Sequence, residues 1–216
     1  MTILEIASSL VELLRPGCER IEIAGSLRRG KANPKDIEIV AIPQLSRVSK
    51  FDLFGNECDI DETNHLESAI YSACLGNWAY DTTVKRDGPR YKRLRHHSGV
   101  ACDLFIADAR RWGAIYTIRT GPGEFSQRLV TRARRMGYHV HGGLLHGHTF
   151  RQHIVNGILR EIPCEKGDAC PLIIPTLTEE AFFAALKMDW PEPSARGIEN
   201  VNALARERRA SKALPG

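Results

Sequence analysis

Gly25-Ser26-Leu27-Arg28-Arg29-Gly30, followed closely by Asp36-Ile37-Glu38-Ile39-Val40-Ala41-Ile42, is the stretch that decides the fold. The second segment is rich in Ile and Val and free of Gly and Pro until Pro43, so it reads as a strand. Side chains alternate along a strand, which sets Asp36 and Glu38 on one face, roughly 6–7 Å apart, and Ile37 and Ile39 on the other. Like charges on one face repel unless a cation neutralises them. Mg2+ suits such a pair, because it favours one or two carboxylates with phosphate oxygens and water. A second apolar run, Val100 to Ile106, carries Asp103 within Cys102-Asp103-Leu104-Phe105-Ile106. Asp103 completes a three-carboxylate cage if the two strands are neighbours, an adjacency that the order of residues does not establish. Taken alone, Asp36-x-Glu38 reads as the solvent side of an amphipathic strand; the turn ahead of it alters that reading.

That turn follows a short strand-like run, Ile21-Glu22-Ile23-Ala24. Gly25 lets backbone approach a ligand, and Ser26 adds a hydroxyl. Backbone N–H groups at the start of a following turn suit an anion. Arg28, Arg29, Lys31 and Lys35 then follow with no acid between them. Arginine's planar fork matches phosphate oxygens. Each part is ordinary in isolation, but cations just ahead of paired carboxylates form a sensible device for holding a triphosphate over metal ions.

Gly25-Ser26-x-Arg28-Arg29-Gly30, Asp36-x-Glu38 and Asp103 together resemble the palm of the DNA polymerase beta-like nucleotidyltransferase superfamily, and the glycine-serine-arginine form resembles the family X DNA polymerases within it. Thr120-Gly121-x-x-x-Phe125 and the basic stretch to Gly137 resemble that family's thumb entry. Thr178-Glu179-Glu180-Ala181-Phe182-Phe183, running to Trp190-Pro191-Glu192-Pro193-x-x-Arg196, resembles its closing motif. The likeness spans residues 5 to 197. It implies an α+β fold: a nucleotidyltransferase palm over 1–110, a mixed β-sheet with helices on one face, then a small α/β thumb subdomain over 111–197. Residues 198–216 are expected to be a basic, flexible tail. The short stretch ahead of Gly25 leads us to expect a palm-plus-thumb minimum, without the lyase domain and helix-hairpin-helix segments of larger members.

By the resemblance, Asp36, Glu38 and Asp103 are catalytic and hold two Mg2+ ions, for which Mn2+ can substitute. Gly25, Ser26, Arg28, Arg29, Lys35, Arg119, Gly121 and Phe125 are the expected nucleotide-binding residues. Asp103 falls where the primer 3′-hydroxyl is oriented or deprotonated. Several positions depart from the family pattern. Glu38 stands where Asp is commoner and Lys35 where Gly often precedes the first carboxylate. Ile118 and Arg119 replace a Tyr-Phe pair that packs on the incoming sugar. Ser126 and Val130 replace base-pair contacts, and Ala101 replaces an Arg two residues before the third carboxylate. The catalytic core is kept and the shell that reads the substrate is altered.

The chain has 216 residues, enough for one domain or two small ones, and its 43% hydrophobic content supplies a core. Net charge is only +4, so the distribution of charge matters more than its total. There is no apolar run of about 18 residues and no signal peptide, which argues against a membrane partner. The six cysteines (18, 58, 74, 102, 164 and 170) contain no Cys-x-x-Cys pair, which favours reduced thiols. An intracellular, cytoplasmic protein of a bacterium or of a phage- or virus-infected cell, acting as a monomer, is the expectation.

Apolar spacing predicts a helix over 3–14, buried through Ile3, Ile6, Ala7, Leu10, Leu13 and Leu14 and ended by Pro16-Gly17. Strands are expected at 20–24 and 36–42, an acidic, solvated loop over 43–63, and a helix over 64–75. Lys85-Arg86-Asp87-Gly88-Pro89-Arg90-Tyr91-Lys92-Arg93 reads as a basic hairpin. Lys85, Arg86, Arg90, Lys92 and Arg93 are thus candidate nucleic-acid contacts. A helix is expected over 124–136, with Arg128, Arg132 and Arg135 on one face and Gly137 as its C-cap; Arg128 and Arg132 join the nucleic-acid candidates. Gly142-Gly143 and Asn156-Gly157 mark turns. His139, His141, His146, His148 and His153, with Cys164 and Cys170 nearby, match no familiar zinc spacing and read as loop and strand histidines.

The expected activity is that of a DNA-directed DNA polymerase of the repair, gap-filling type. It adds nucleotides from nucleoside triphosphates to a primer-template or gapped DNA with release of pyrophosphate, and it accepts ribonucleotides if the altered sugar wall is permissive. The alternatives are a template-independent nucleotidyltransferase acting on a nucleic-acid end or another acceptor, and a non-catalytic nucleic-acid-binding relative.

Overall fold

Thr2 starts the first helix, α1 (Ile3–Leu14). Its hydroxyl accepts from the Glu5 N–H while the Glu5 carboxylate accepts from the Thr2 N–H, a reciprocal capping box. Helical spacing buries Ile6, Ala7, Leu10, Val11 and Leu14; Leu13, expected inside, is half exposed. Along the chain follow β1 (Cys18–Ile23), the single turn α2 (Gly25–Arg28), β2 (Ile37–Pro43), β3 (Leu45–Phe51), β4 (Glu57–Asn64), α3 (His65–Cys74), β5 (Trp78–Tyr80), β6 (Tyr91–His96) and β7 (Ala101–Ile106). The computed structural model describes residues 1–83, 88–156 and 158–196. It is α+β and divides into two compact units. The first is Met1–Ile23 with Asn33–Ala107; the second is Ala24–Ala32 with the described residues from Asp108 onward. The Gly25–Arg28 turn, read above as part of the first 110 residues, groups with the second unit.

The first unit is built on a five-stranded mixed sheet in the order β1-β2-β7-β6-β5. β2 and β7 run parallel and the other neighbours antiparallel. Helices α1 and α3 pack on each other, α1 on β1 and β2, and α3 on β5, so both cover one face. That face is apolar: Ile37, Ile39, Leu94, Cys102 and Leu104 have no exposure. Burial pushes the Cys102 thiol well above its ordinary pKa, so it behaves as a small apolar side chain.

Residues 43–63 are not the expected loop. They form the β3–β4 antiparallel hairpin, turned by Asp52, whose carboxylate accepts from the Phe54 and Asn56 N–H groups. Its cross-strand ties are polar, Arg47–Glu62 at 2.7 Å, Lys50–Asp61 at 3.0 Å and Ser49–Glu57 at 2.7 Å, while Val48 and Ile60 are exposed. Among the described side chains this strand pair buries neither face, which leaves no apolar alternation for a sequence reading to find.

The second unit continues with α4 (Trp112–Thr120), α5 (Gly123–Arg135), β8 (His139–His141), β9 (Leu144–His146), β10 (Arg151–Val155), β11 (Ile158–Ile162), β12 (Ile173–Ile174) and α6 (Glu179–Ala185). Its core is Ala114, Phe125, Leu129, Ala133, Leu145, Phe182, Phe183, Leu186 and Met188. Gly113 lets α4 approach the start of α6, since a Cβ there would collide with the Thr178 carbonyl. Gly142 and Gly143 both take positive φ and close the β8–β9 hairpin in two residues. The small sheet runs β12-β9-β8, and among the described residues β10 and β11 pair only with each other. Among the described residues, no helix is long and apolar enough to cross a membrane. The tail 198–216 lies outside them.

Candidate active site

The parallel pairing of β2 with β7 supplies the adjacency that the sequence left open. Ile37 pairs with Cys102 and Glu38 with Asp103. In a parallel ladder, residues in register on strands about 4.8 Å apart point to the same side. Ile37 and Cys102 therefore face the helices, and Glu38 and Asp103 stand together on the other side. Asp36, one residue ahead of β2 and two before Glu38, is exposed. Glu38 and Asp103 thus stand side by side on a parallel strand pair, and Asp36 lies two residues ahead of Glu38 in the chain.

Asp103 is held by β6. Arg93 lies opposite it in register and places Nη1 at 2.7 Å from Oδ1, and the Tyr91 hydroxyl donates to the same oxygen at 2.7 Å. Both bonds fall on Oδ1, so Oδ2 is the oxygen a metal ion would use. Burial, then the bond to Asp103, raises the Tyr91 pKa and keeps it a donor. Arg93 is shared with a second acid. Its Nε reaches Asp81 Oδ2 at 3.2 Å, where Arg95 Nη2 also lies at 2.6 Å. Thr83 closes the other oxygen of Asp81 through its hydroxyl (2.6 Å) and N–H (3.1 Å). The Thr83 hydroxyl bond leads the causes that hold Asp81 well below the usual carboxylate range; burial opposes it, and Arg95 and Arg93 add to it. Ala101 brings no guanidinium to the third carboxylate; Arg93 brings one from the neighbouring strand.

In the second unit, Gly25 takes φ +63° and opens α2. The Ser26 hydroxyl is shielded from solvent and has no hydrogen-bond partner among the described residues. Arg28 does not face outward. It forks onto Glu179 at 2.9 and 2.7 Å, donates to the Thr120 hydroxyl at 2.8 Å and lies 3.8 Å from the Tyr116 ring centre. Arg196 forks onto the same Glu179 carboxylate at 2.7 and 3.0 Å, joined by the Trp190 indole at 3.2 Å. Burial alone would raise the Glu179 pKa; the hydrogen bonds and charges of Arg28 and Arg196 outweigh it and bring it to about 2. Arg29 donates to the Thr120 carbonyl.

The other predicted residues separate clearly. Lys35 and Arg119 are exposed, and Gly121 is the C-cap of α4. Phe125 is fully buried in the second unit's core, its ring 6.3 Å from that of Phe183, so it offers no face to a nucleotide. The neighbouring Ser126 donates to the Ile118 carbonyl at 2.7 Å. Arg90 is exposed, whereas Lys92 is half-buried against Glu67 at 3.5 Å and Arg93 is turned to Asp103 and Asp81. Lys85 and Arg86 lie outside the described residues. Arg128 is exposed on α5, but Arg132 donates to the carbonyls of Leu186 and Lys187 at 2.6 and 3.0 Å and so caps α6. A run of cations does not tell which of them have an internal acceptor.

Sequence reasoning missed Tyr91, Asp81 and Glu179. Glu179 reads as an ordinary first-turn acid behind the Thr178 N-cap, and its partner Arg28 lies 151 residues away. No protein-family model matches this chain, and no curated protein sequence matches it.

Proposed function

We propose that this chain is a nucleotidyltransferase that extends a nucleic-acid 3′-end, working as a gap-filling DNA polymerase of the family X kind. The observation that carries the reading is the in-register pairing of Glu38 with Asp103 on parallel strands, with Asp36 two residues ahead. In this reading Asp36, Glu38 and Asp103 hold Mg2+, which when bound makes the 3′-hydroxyl more acidic and offsets charge on the leaving pyrophosphate. Asp103 orients that hydroxyl, and Tyr91 and Arg93 fix Asp103 by gripping Oδ1. Ser26, whose sheltered hydroxyl lacks a partner among the described residues, and Arg29 stay in the nucleotide-binding set that the resemblance implies. Arg28 and Phe125 are withdrawn from the nucleotide-binding set, because both are committed to the interior of the second unit.

The test is single-nucleotide filling of a gapped duplex with Mg2+ present or chelated. The wild-type chain should add the templated nucleotide only with Mg2+. Asp36→Asn should lower the rate by about 10³-fold or more with an unchanged melting temperature, since the residue is exposed and its work is electrostatic. Wild-type extension by the variant would sink the assignment. Equal use of all four nucleotides on every template would make the enzyme a template-independent transferase.

A further inference from the structure

The histidines and cysteines of the second unit have no part in that reading, yet the fold gathers four of them. His146 ends β9, His148 follows it, Cys164 lies beyond β11, and Cys170 precedes β12, which pairs with β9 through Ile173 and His146. One donor atom from each of the four lies within 4.8 Å of the others. The geometry points to a structural zinc site formed by His146, His148, Cys164 and Cys170.

Three observations support it. The first is donor type: two thiolates and two imidazoles form the tetrahedral set that Zn2+ selects, and the two thiolate charges cancel the ion's, which suits a sheltered site. The second is spacing. A tetrahedral centre with Zn–S of about 2.3 Å and Zn–N of about 2.1 Å has an S···N edge of about 3.6 Å. Cys170 Sγ lies 3.5 Å from His148 Nε2.

The third is an unmet need. His146 has no exposure, and neither ring nitrogen has a hydrogen-bond partner among the described residues. A buried imidazole without partners is costly, and a metal ion supplies a partner to one of its two nitrogens. Its surroundings already orient the ligands. His148 Nδ1 is 2.9 Å from the Thr149 carbonyl, which makes it the protonated nitrogen and turns the Nε2 lone pair toward Cys170. His139, stacked on His146 with ring centres 4.5 Å apart, donates through Nδ1 to the His148 carbonyl at 2.7 Å. Its Nε2 accepts from the Cys164 N–H at 3.4 Å. It thereby steadies the backbone of one ligand from each half of the site.

The site explains how β10 and β11 are held. A lone two-stranded ribbon is marginal in water, and this one exposes Ile154, Ile158 and Leu159. His148 lies just before it and Cys164 just after, so a shared ion clamps the ribbon at its root.

The test uses the full chain, expressed with zinc and purified without chelator, and reads metal content by mass spectrometry. One zinc per chain is expected. Native alkylation should spare Cys164 and Cys170 until a strong chelator releases the metal, and cobalt exchange should give the visible bands of a tetrahedral thiolate site. Chelation should also speed amide exchange in β10 and β11 while leaving α1 and α3 unchanged. Because these readings use the wild-type chain, a variant that fails to fold does not cloud them. A metal-free chain, zinc that leaves both thiols open to alkylation, or a Cys164–Cys170 disulfide would each overturn the proposal. None of these measurements involves nucleotide transfer, so they stand or fall apart from the polymerase reading.

Discussion

Asp103 receives two hydrogen bonds on one oxygen, from Tyr91 and Arg93, and pairs in register with Glu38. This arrangement balances two like charges on adjacent strands and keeps the Asp103 carboxylate in one orientation. Removing the guanidinium should therefore act on chemistry through Asp103. A charge-assisted hydrogen bond contributes about 1.5–3 kcal/mol, so Arg93→Ala should slow extension by about 10–100-fold. Arg95 and Thr83 still engage Asp81 in that variant, so the first unit should stay folded. Steady-state gap filling alongside a melting curve checks this; an unchanged rate would detach Arg93 from the reaction. The strands that carry Glu38 and Asp103 were legible from sequence because β2 and β7 announce themselves through Ile, Val, Leu and Phe. Arg93 was misread because its acceptor sits on the next strand, and strand order is a long-range property. Phe125 was misread because a family position names a residue type but not how deeply this chain buries it.

At the scale of elements, helices with an apolar stripe and a marked end were the readable ones: α1 with Pro16-Gly17 behind it, and α5 with Gly137 at positive φ just past its cap. The β3–β4 hairpin was hidden because charge pairs rather than buried alternation hold it together. The His/Cys cluster was hidden because its two halves, His-x-His and Cys-x5-Cys, are joined only by the pairing of β12 with β9. The ties around α6 were hidden as well, and they are testable. Glu179 binds the α2 residue Arg28 and the fully buried Arg196, so Glu179→Gln leaves two cations without their counter-charge. Breaking a buried pair in this way costs about 3–5 kcal/mol. The pH dependence has a definite sign. The Glu179 carboxyl is depressed to about 2 in the fold, so its contribution is fully present above its ordinary value of 4.5. It amounts to about 3 kcal/mol and is lost as pH falls from there through about 2. Urea unfolding of both proteins from pH 7 downward should show the gap between them closing in that window. A constant gap would place the carboxylate's role elsewhere.

Across the whole molecule, 30 Lys and Arg stand against 26 Asp and Glu, a net charge too small to drive nucleic-acid binding by itself. What counts is which cations are exposed. Arg28, Arg93, Arg111, Arg132 and Arg196 are held by carboxylates or helix-end carbonyls within their own unit. Lys31, Lys35, Arg90, Arg119, Arg128 and Arg135 are exposed. If most of these meet phosphates, about four contacts form, and each releases roughly 0.9 of a counterion from duplex DNA. The slope of log affinity against log salt is then about −3.6, and affinity falls by about 10²-fold between about 50 and 200 mM salt. That is a shallow dependence, far from that of a protein whose full basic content faces DNA. Titrating a labelled gapped duplex across that salt range, without nucleotide, reads the slope directly. Arg128→Ala should flatten it by about one unit and weaken all sequences equally, because a phosphate contact carries no base information. A slope near zero would remove nucleic acid as the partner. A slope near −6, about seven contacts, would mean that Arg28, Arg93 and Arg132 leave their internal acceptors when DNA binds.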